Sequence, residues 1–453
     1  MNLRPQKQKR RIKSVQISQL FGFLDHRIDF FLDDRITILH GENGVGKTTI
    51  LKMVNNLFSR NLGAIRSIRF SSFSIDFDDN AKLHIERTIN KSNKPALSIL
   101  FTDSAGAQNS VGFPKTRAHV EKSDILEYVE RATPYYPIGD GNWRDASDGE
   151  IVSEGVLVRR FTRRTRTEAR KLSNAADGWL RDVLASVKVY FIETQRLLLL
   201  ENTPPHEDEL DYFDEGVDVR AQVSSYATDM SSLIRKAREE SGALAASLDR
   251  TFPNRFLRDP NPEGAREEAI RAIYERQSDL RKELMNAGLL DAEEPVSLPE
   301  RPLERQEVVF LWHYLADIDK KMAVYQHLLP RVKLFQQIIE RKKFLNKRMV
   351  ISKEKGIYFL EKHGESPKRI PLEVLSSGEQ HQLVLVYGLL FKAHEMSLVL
   401  IDEPEISLHV TWQYKFLDDM IEIAELVNID FLIATHSPSI IRKRSHLMVP
   451  LKG

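Results

Sequence analysis

A chain of 453 residues with 42% hydrophobic and 29% charged side chains is too long for one ordinary core and too apolar for a disordered polymer, so a main domain with a sizeable accessory region is expected. Its 66 Lys and Arg balance 65 Asp and Glu, so no global field draws it to nucleic acid, and any such affinity has to come from local patches. The absence of cysteine excludes disulfides, thiolate metal sites and cysteine nucleophiles and fits a reducing, cytoplasmic setting, while every apolar run falls short of the ~18 residues a membrane span requires.

Met1 to Lys13 carries Arg4, Lys7, Lys9, Arg10, Arg11 and Lys13 with no apolar stretch behind them, a solvated basic tail rather than a signal peptide. Three short strands are expected next: Ser14 to Leu20, His26 to Leu32, and the continuous run Ile36 to Leu39, buried on both faces. That run feeds Gly41-Glu42-Asn43-Gly44-Val45-Gly46-Lys47-Thr48 and the helical pattern from Thr48 to Phe58. The segment fits the phosphate-loop pattern in the strand-loop-helix context that pattern requires. The chemistry follows from geometry. From Gly41 through Asn43, Gly44, Val45 and Gly46 to Thr49 the backbone can turn its N–H groups toward phosphates, the helix start adds a positive dipole end, and Lys47 reaches the β/γ oxygens of ATP. Thr48 is the expected Mg²⁺ ligand. Phe21 and Phe23, the aromatic residues just upstream, are read as core rather than as a platform for adenine.

Alternating strands are expected from Ile65 to Leu100, and irregular loops from Asp103 to Asp148, where Pro134, Pro137, Gly139 and Gly141 act as breakers. Lys188 to Ile192 reads as a further strand. From Tyr226 to Arg348 the pattern changes to long charged helices, broken at Pro253 to Gly264 and at Pro295 to Pro302. In the last of them Val308, Leu311, Leu315, Ile318, Met322, Tyr325, Leu329 and Val332 form an a/d seam with Pro330 as a kink, most simply an intramolecular helical hairpin. Strands and helices alternate again from Ile351. The expected organisation is an α/β domain split between residues 1–200 and 351–453, with a helical, coiled-coil-like region inserted over 201–350.

Leu398 to Ile401 is an apolar run ending in Asp402 and Glu403, so a buried strand brings two carboxylates to its carboxyl edge. Asp402 can hold Mg²⁺ through water, and Glu403, one residue on, can act as the base that orients and deprotonates the attacking water. Phe431 to Ala434 repeats the design, with His436 placed to hydrogen-bond the γ-phosphate. Between the phosphate loop and these strands stands Leu375-Ser376-Ser377-Gly378-Glu379-Gln380, followed by the helical pattern His381 to Lys392.

With that segment the chain resembles the ABC ATPase superfamily. Leu375 to Glu379 is similar to its LSGGQ signature, with Ser377 for the first Gly and Glu379 for the Gln, as in SMC-like members. The resemblance implies that Ser376, Ser377, Gly378 and Glu379 contact ATP held by the phosphate loop of a second copy, in a head-to-tail ATP-sandwich dimer. It also implies a Q-loop glutamine touching nucleotide and metal, for which Gln195 is the candidate, and an interface-crossing D-loop over Glu405 to His409. The opening LHGENGVGKTT and the ending IDEPEISLH…ATHSP most resemble the AAA15/AAA21 group, kin to RecF and OLD-type nucleases. Within that group the layout is similar to the AriA ATPases of PARIS anti-phage systems, with the PtuA ATPases of Septu systems second. That likeness implies dimers assembled up to a hexamer, a TOPRIM nuclease partner of the AriB type acting in trans, and a phage-encoded trigger protein. A RecF/SMC-like clamp that closes on DNA through Arg159, Arg160, Arg163, Arg164, Arg166, Arg170 and Lys171 is the rival expectation.

Overall fold

The computed structural model describes residues 9–89, 95–113, 135–139, 142–145, 151–153, 157, 178–193, 219–292, 297–362, 367–406 and 408–452. Gln195 and the basic cluster from Arg159 to Lys171 lie outside them.

The N-terminal part builds a six-stranded antiparallel sheet in the order β2-β1-β4-β5-β6-β7. Its members are β1 (Ile12–Leu20), β2 (Leu24–Asp29), β4 (Ser72–Phe77), β5 (Lys82–Ile89), β6 (Pro95–Thr102) and β7 (Gln108–Phe113). Between its first and second hairpins the chain makes β3 (Ile36–His40) and two helices, α1 (Lys47–Phe58) and α2 (Leu62–Ser67). Ile65 and Ile68 are therefore not strand residues: Asn61 accepts a hydrogen bond from the Ala64 amide and starts a helix there. The stretch read as loops, Asp103 to Asp148, also holds strands, namely β7 and two members, β8 (Tyr135–Gly139) and β9 (Asn142–Asp145), of a three-stranded sheet completed just beyond it by β10 (Ile151–Ser153). β7 pairs along β6 through its backbone while its described side chains are largely exposed, so no apolar alternation marks it. Pro137 is tolerated because β8 is an edge strand.

A second, wholly parallel sheet has the order β11-β15-β16-β3-β17, with β11 (Lys188–Glu193), β15 (Ser397–Asp402), β16 (Asp430–Ala434) and β17 (Met448–Pro450). It draws strands from both ends of the chain. Side chains alternate across it into two cores. Leu39, Leu398, Leu400, Leu432 and Ala434 pack with Ile50, Leu51 and Val54 of α1, with the antiparallel sheet and with α3 (Gly178–Ala185). Ile36, Ile38, Val399, Ile401, Phe431 and Ile433 face the helices on the other side. Burial on both faces is why these strands read as unbroken apolar runs.

The second core is built by α4 (Val219–Arg258), α7 (Leu328–Arg341), α8 (Ser377–Tyr387) and α9 (Val410–Val427), with β12 (Lys347–Ser352), β13 (Gly356–Glu361) and β14 (Arg369–Ile370) alongside. Two further helices, α5 (Glu267–Asn286) and α6 (Arg305–Ala323), extend the helical region around a small core of Ala265, Ile270, Val308 and Leu315. The expected break over Pro253 to Gly264 falls in its second half: α4 runs through Pro253 to Arg258, and α5 starts at Glu267. One turn before the proline, the Leu248 carbonyl accepts from Thr251 Oγ1 at 3.1 Å and the Arg255 guanidinium at 3.0 Å, so side chains meet carbonyl groups near the interrupted ladder. In the seam the chain breaks at Val324 to His327 and not at Pro330, which falls in the first turn of α7, where a missing N–H costs nothing. Both halves of the seam are buried within the chain. Lys342, just past α7, pairs at 2.5 Å with Asp419 of α9, both side chains at most 2% exposed. Such a pair clamps its elements together because stranding one member costs about 3–5 kcal/mol. Among the described residues, no helix is long and apolar enough to cross a membrane.

Candidate nucleotide site

β3 ends at the loop Gly41 to Gly46. Gly46 has φ +92°, and a Cβ there would stand 2.7 Å from Leu20 Cδ2, so only glycine fits. At Gly41 a Cβ would meet the Leu451 carbonyl at 2.8 Å. Gly46 caps α1 without a side-chain partner for the first amides, which leaves those N–H groups to a ligand in the loop. Lys47 is buried and curls over the loop, donating to the carbonyls of Gly41 at 2.8 Å and Glu42 at 3.0 Å. Asn43 and Gly44 are exposed, Val45 is buried, and Thr48 and Thr49 are half-buried at the helix start.

Sheet order puts β15 and β16 beside β3, and this brings the carboxylates to the loop. Thr48 Oγ1 donates to Asp402 Oδ1 at 3.1 Å. A hydroxyl and a carboxylate in contact are a hard-oxygen pair suited to Mg²⁺, which takes few protein ligands and keeps its waters. Glu403 adopts φ +46° with its N–H bonded to Ala434 O at 2.8 Å, a left-handed backbone rare outside glycine and found at functional turns. His436 Nδ1 lies 3.6 Å from Glu403 Oε1 and 3.5 Å from Glu405 Oε1. Phosphate loop, acidic pair and histidine thus converge at the carboxyl ends of adjacent parallel strands, the place where open α/β sheets bind ligands.

The signature segment sits elsewhere. Ser376 caps α8 in a capping box, its hydroxyl accepting from Glu379 N at 3.4 Å and its own N–H donating to the Glu379 carboxylate at 2.8 Å. Ser376 and Ser377 are exposed and Gly378 is half-buried. Glu379 is 5% exposed and also binds Lys347 Nζ at 2.8 and 2.9 Å. Acid in place of the family's amide lets this position hold the helix start and a lysine together. Helix α8 packs on α4 and α7, whereas α1 packs on β11, β15 and β16, so the signature and the phosphate loop of one chain belong to opposite faces of the central sheet.

Two features near the loop depart from the sequence reading or were missing from it. Phe21 and Phe23 are not core: they are 38% and 73% exposed at the β1–β2 turn, with Phe21 against the Gly46 position. His26, 4% exposed, donates from Nε2 to the Val45 carbonyl at 2.9 Å and so supports the phosphate loop from β2. Its sequence signal is a polar residue at an inward position of the alternating strand Leu24, His26, Ile28.

A phosphate loop, an acidic strand and a histidine loop gathered on a parallel sheet define an ATPase. Residues 189–442, more than half of the chain, match the AAA_21 family, described as "AAA domain, putative AbiEii toxin, Type IV TA system", and the chain belongs to that family. The matched span contains the signature, Asp402, Glu403 and His436, and begins after the phosphate loop. Among solved structures the chain is similar to an Smc head domain with an extended coiled coil bound to the C-terminal domain of ScpA, from Pyrococcus furiosus. Identity is 12%, covering 97% of this chain and 93% of that one, with a TM-score of 0.35. It is also similar to an Smc head domain with a coiled coil and joint from Pyrococcus yayanosii, at 11% identity, 97% and 95% coverage and a TM-score of 0.31. No curated protein matches it.

Proposed function

We propose that the chain is an ABC-type ATPase that binds and hydrolyses ATP with Mg²⁺ between two copies of itself, in a head-to-tail sandwich. The observation that carries this reading is the separation within one chain: the loop suited to phosphates lies on one face of the central sheet, and Ser376 and Ser377 are exposed on the element packed on the other. A second copy is the natural source of the missing half. Exposed Ile406, Val410 and Tyr414, next to the histidine loop, offer apolar surface for the same contact.

In this reading Gly41, Asn43, Gly44, Val45, Gly46, Lys47 and Thr49 cradle the phosphates. Thr48 and Asp402 hold the metal, Glu403 orients and deprotonates water, and His436 meets the γ-phosphate. Ser376, Ser377 and Gly378 complete the site from the partner, and Gln195 completes it from outside the described residues. Bound Mg²⁺ would neutralise phosphate charge. His26→Ala is then expected to weaken binding of an ATP analogue about tenfold, because an unpartnered buried carbonyl costs about 1–3 kcal/mol and loosens the loop. Calorimetric titration of the variant checks this.

We further infer that ATP governs an assembly rather than driving cutting or transport. The family description, with its putative AbiEii toxin of a Type IV TA system, supports a role in a toxin-type system rather than in transport. In this reading the chain is a defence sensor of the AriA kind, built from dimers up to a hexamer, that holds a TOPRIM nuclease of the AriB type and releases it when a phage protein binds. Purification from the native host tests it. A stoichiometric nuclease that stays bound until the phage trigger protein is added is expected, whereas salt-sensitive, ATP-dependent duplex binding without such a partner would favour a RecF/SMC-like clamp.

A further inference from the structure

We propose that Glu405 is a positioning residue that fixes the imidazole of His436 and ties it to the turn after the acidic strand. This rests on the ATPase reading of His436. Glu405 lies in the 3-10 turn Pro404–Ile406, immediately after the left-handed backbone at Glu403. Its carboxylate takes the Thr435 hydroxyl at 2.8 Å from each oxygen and the His436 N–H at 3.1 Å, and its Oε1 stands 3.5 Å from His436 Nδ1. The hydroxyl is itself oriented: Thr435 Oγ1 accepts from Ser437 N at 3.0 Å, so its proton points at Glu405. Gln413 closes the network, bonding Ser437 Oγ through Oε1 and the carbonyls of Glu405 and Leu408 through Nε2, each at 3.2 Å.

A carboxylate held by several donors and 10% exposed cannot follow the imidazole; the imidazole must follow it. His436 has a second carboxylate beside the same nitrogen, Glu403 Oε1 at 3.6 Å. Without Glu405, the ring is left with the group that serves as base, and pairing with it misplaces both.

The test uses the full chain as wild type, Glu405→Ala, Glu405→Gln, His436→Gln and the Glu405→Ala/His436→Gln double variant. Steady-state ATPase rates are measured alongside equilibrium binding of a non-hydrolysable ATP analogue, which also reports that each variant is folded. Glu405→Ala is expected to lose about 100-fold in kcat with KM within about twofold, the signature of a misplaced group rather than a lost binding contact. Glu405→Gln, whose amide oxygen can accept from the Thr435 hydroxyl and the His436 N–H as Oε1 does, should recover most of that loss. The double variant should be no slower than His436→Gln alone. Wild-type kcat in Glu405→Ala beside an impaired His436→Gln, or losses that multiply in the double variant, would overturn the positioning role alone. Undiminished turnover in His436→Gln would overturn the ATPase reading of that histidine and the proposal with it.

Discussion

Glu403→Gln is expected to bind ATP as tightly as the wild type while hydrolysing it on the order of 10²–10⁴-fold more slowly. The substitution keeps size and hydrogen-bonding reach, and the groups that hold the phosphates are untouched: Lys47 remains over the loop and Thr48 beside Asp402. Only the capacity to accept a proton from water is lost. The unusual backbone at Glu403, φ +46° and tied to Ala434 by its N–H, is determined by the strand ends and not by the carboxylate, so the amide should occupy the same place. With turnover stalled, ATP stays in the site and its bridging contacts persist, so dimers should accumulate. Rapid-quench single turnover measures the chemical step, and sedimentation with and without ATP measures the pairing. Undiminished single turnover would remove Glu403 from the role of base.

Much of this arrangement could be read from the chain because its physics is local. Ile36 to Leu39, Leu398 to Ile401 and Phe431 to Ala434 are nearly continuous apolar runs, the mark of parallel strands covered on both faces, and they lead at their carboxyl ends to the phosphate loop, to Asp402 and to His436. Glycines of the phosphate loop sit where a Cβ would clash or the backbone turns left-handed. What could not be read depends on partners brought together by tertiary contact. The pairing of Glu379 with Lys347 joins residues 32 positions apart and leaves no local pattern. His26 supports the Val45 carbonyl from another strand, and Glu405 is defined by Thr435 and His436 across the sheet edge. In the helical region proline marks the breaks only approximately. Pro253 and Pro330 are usually read as breaks or kinks, yet one sits in a helix with side chains on nearby carbonyls, and the other in a first turn that needs no N–H.

A mixture of two inactive chains should recover activity if the site is shared. Lys47→Ala removes the cation over the phosphate loop but leaves α8 intact, and Ser376→Arg puts a bulky cation on the exposed start of α8 but leaves the loop intact. Ser376 also caps its helix, and losing that cap costs about 0.5–2 kcal/mol, small against a folded core on this scale; Ser377→Arg, exposed and outside the cap, is the matched control. Each variant alone pairs a damaged element with every site and should hydrolyse almost no ATP. In a mixed dimer one site carries both lesions and the other carries neither. Random pairing at equal concentration makes about half of the dimers mixed, each with one sound site, so about a quarter of wild-type turnover is expected. A site completed within one chain predicts no more than the sum of the two variants measured separately, because neither chain then has anything to lend. The steady-state rate of the mixture therefore decides whether exposed Ser376 and Ser377 serve the ATP of their own copy or of its neighbour.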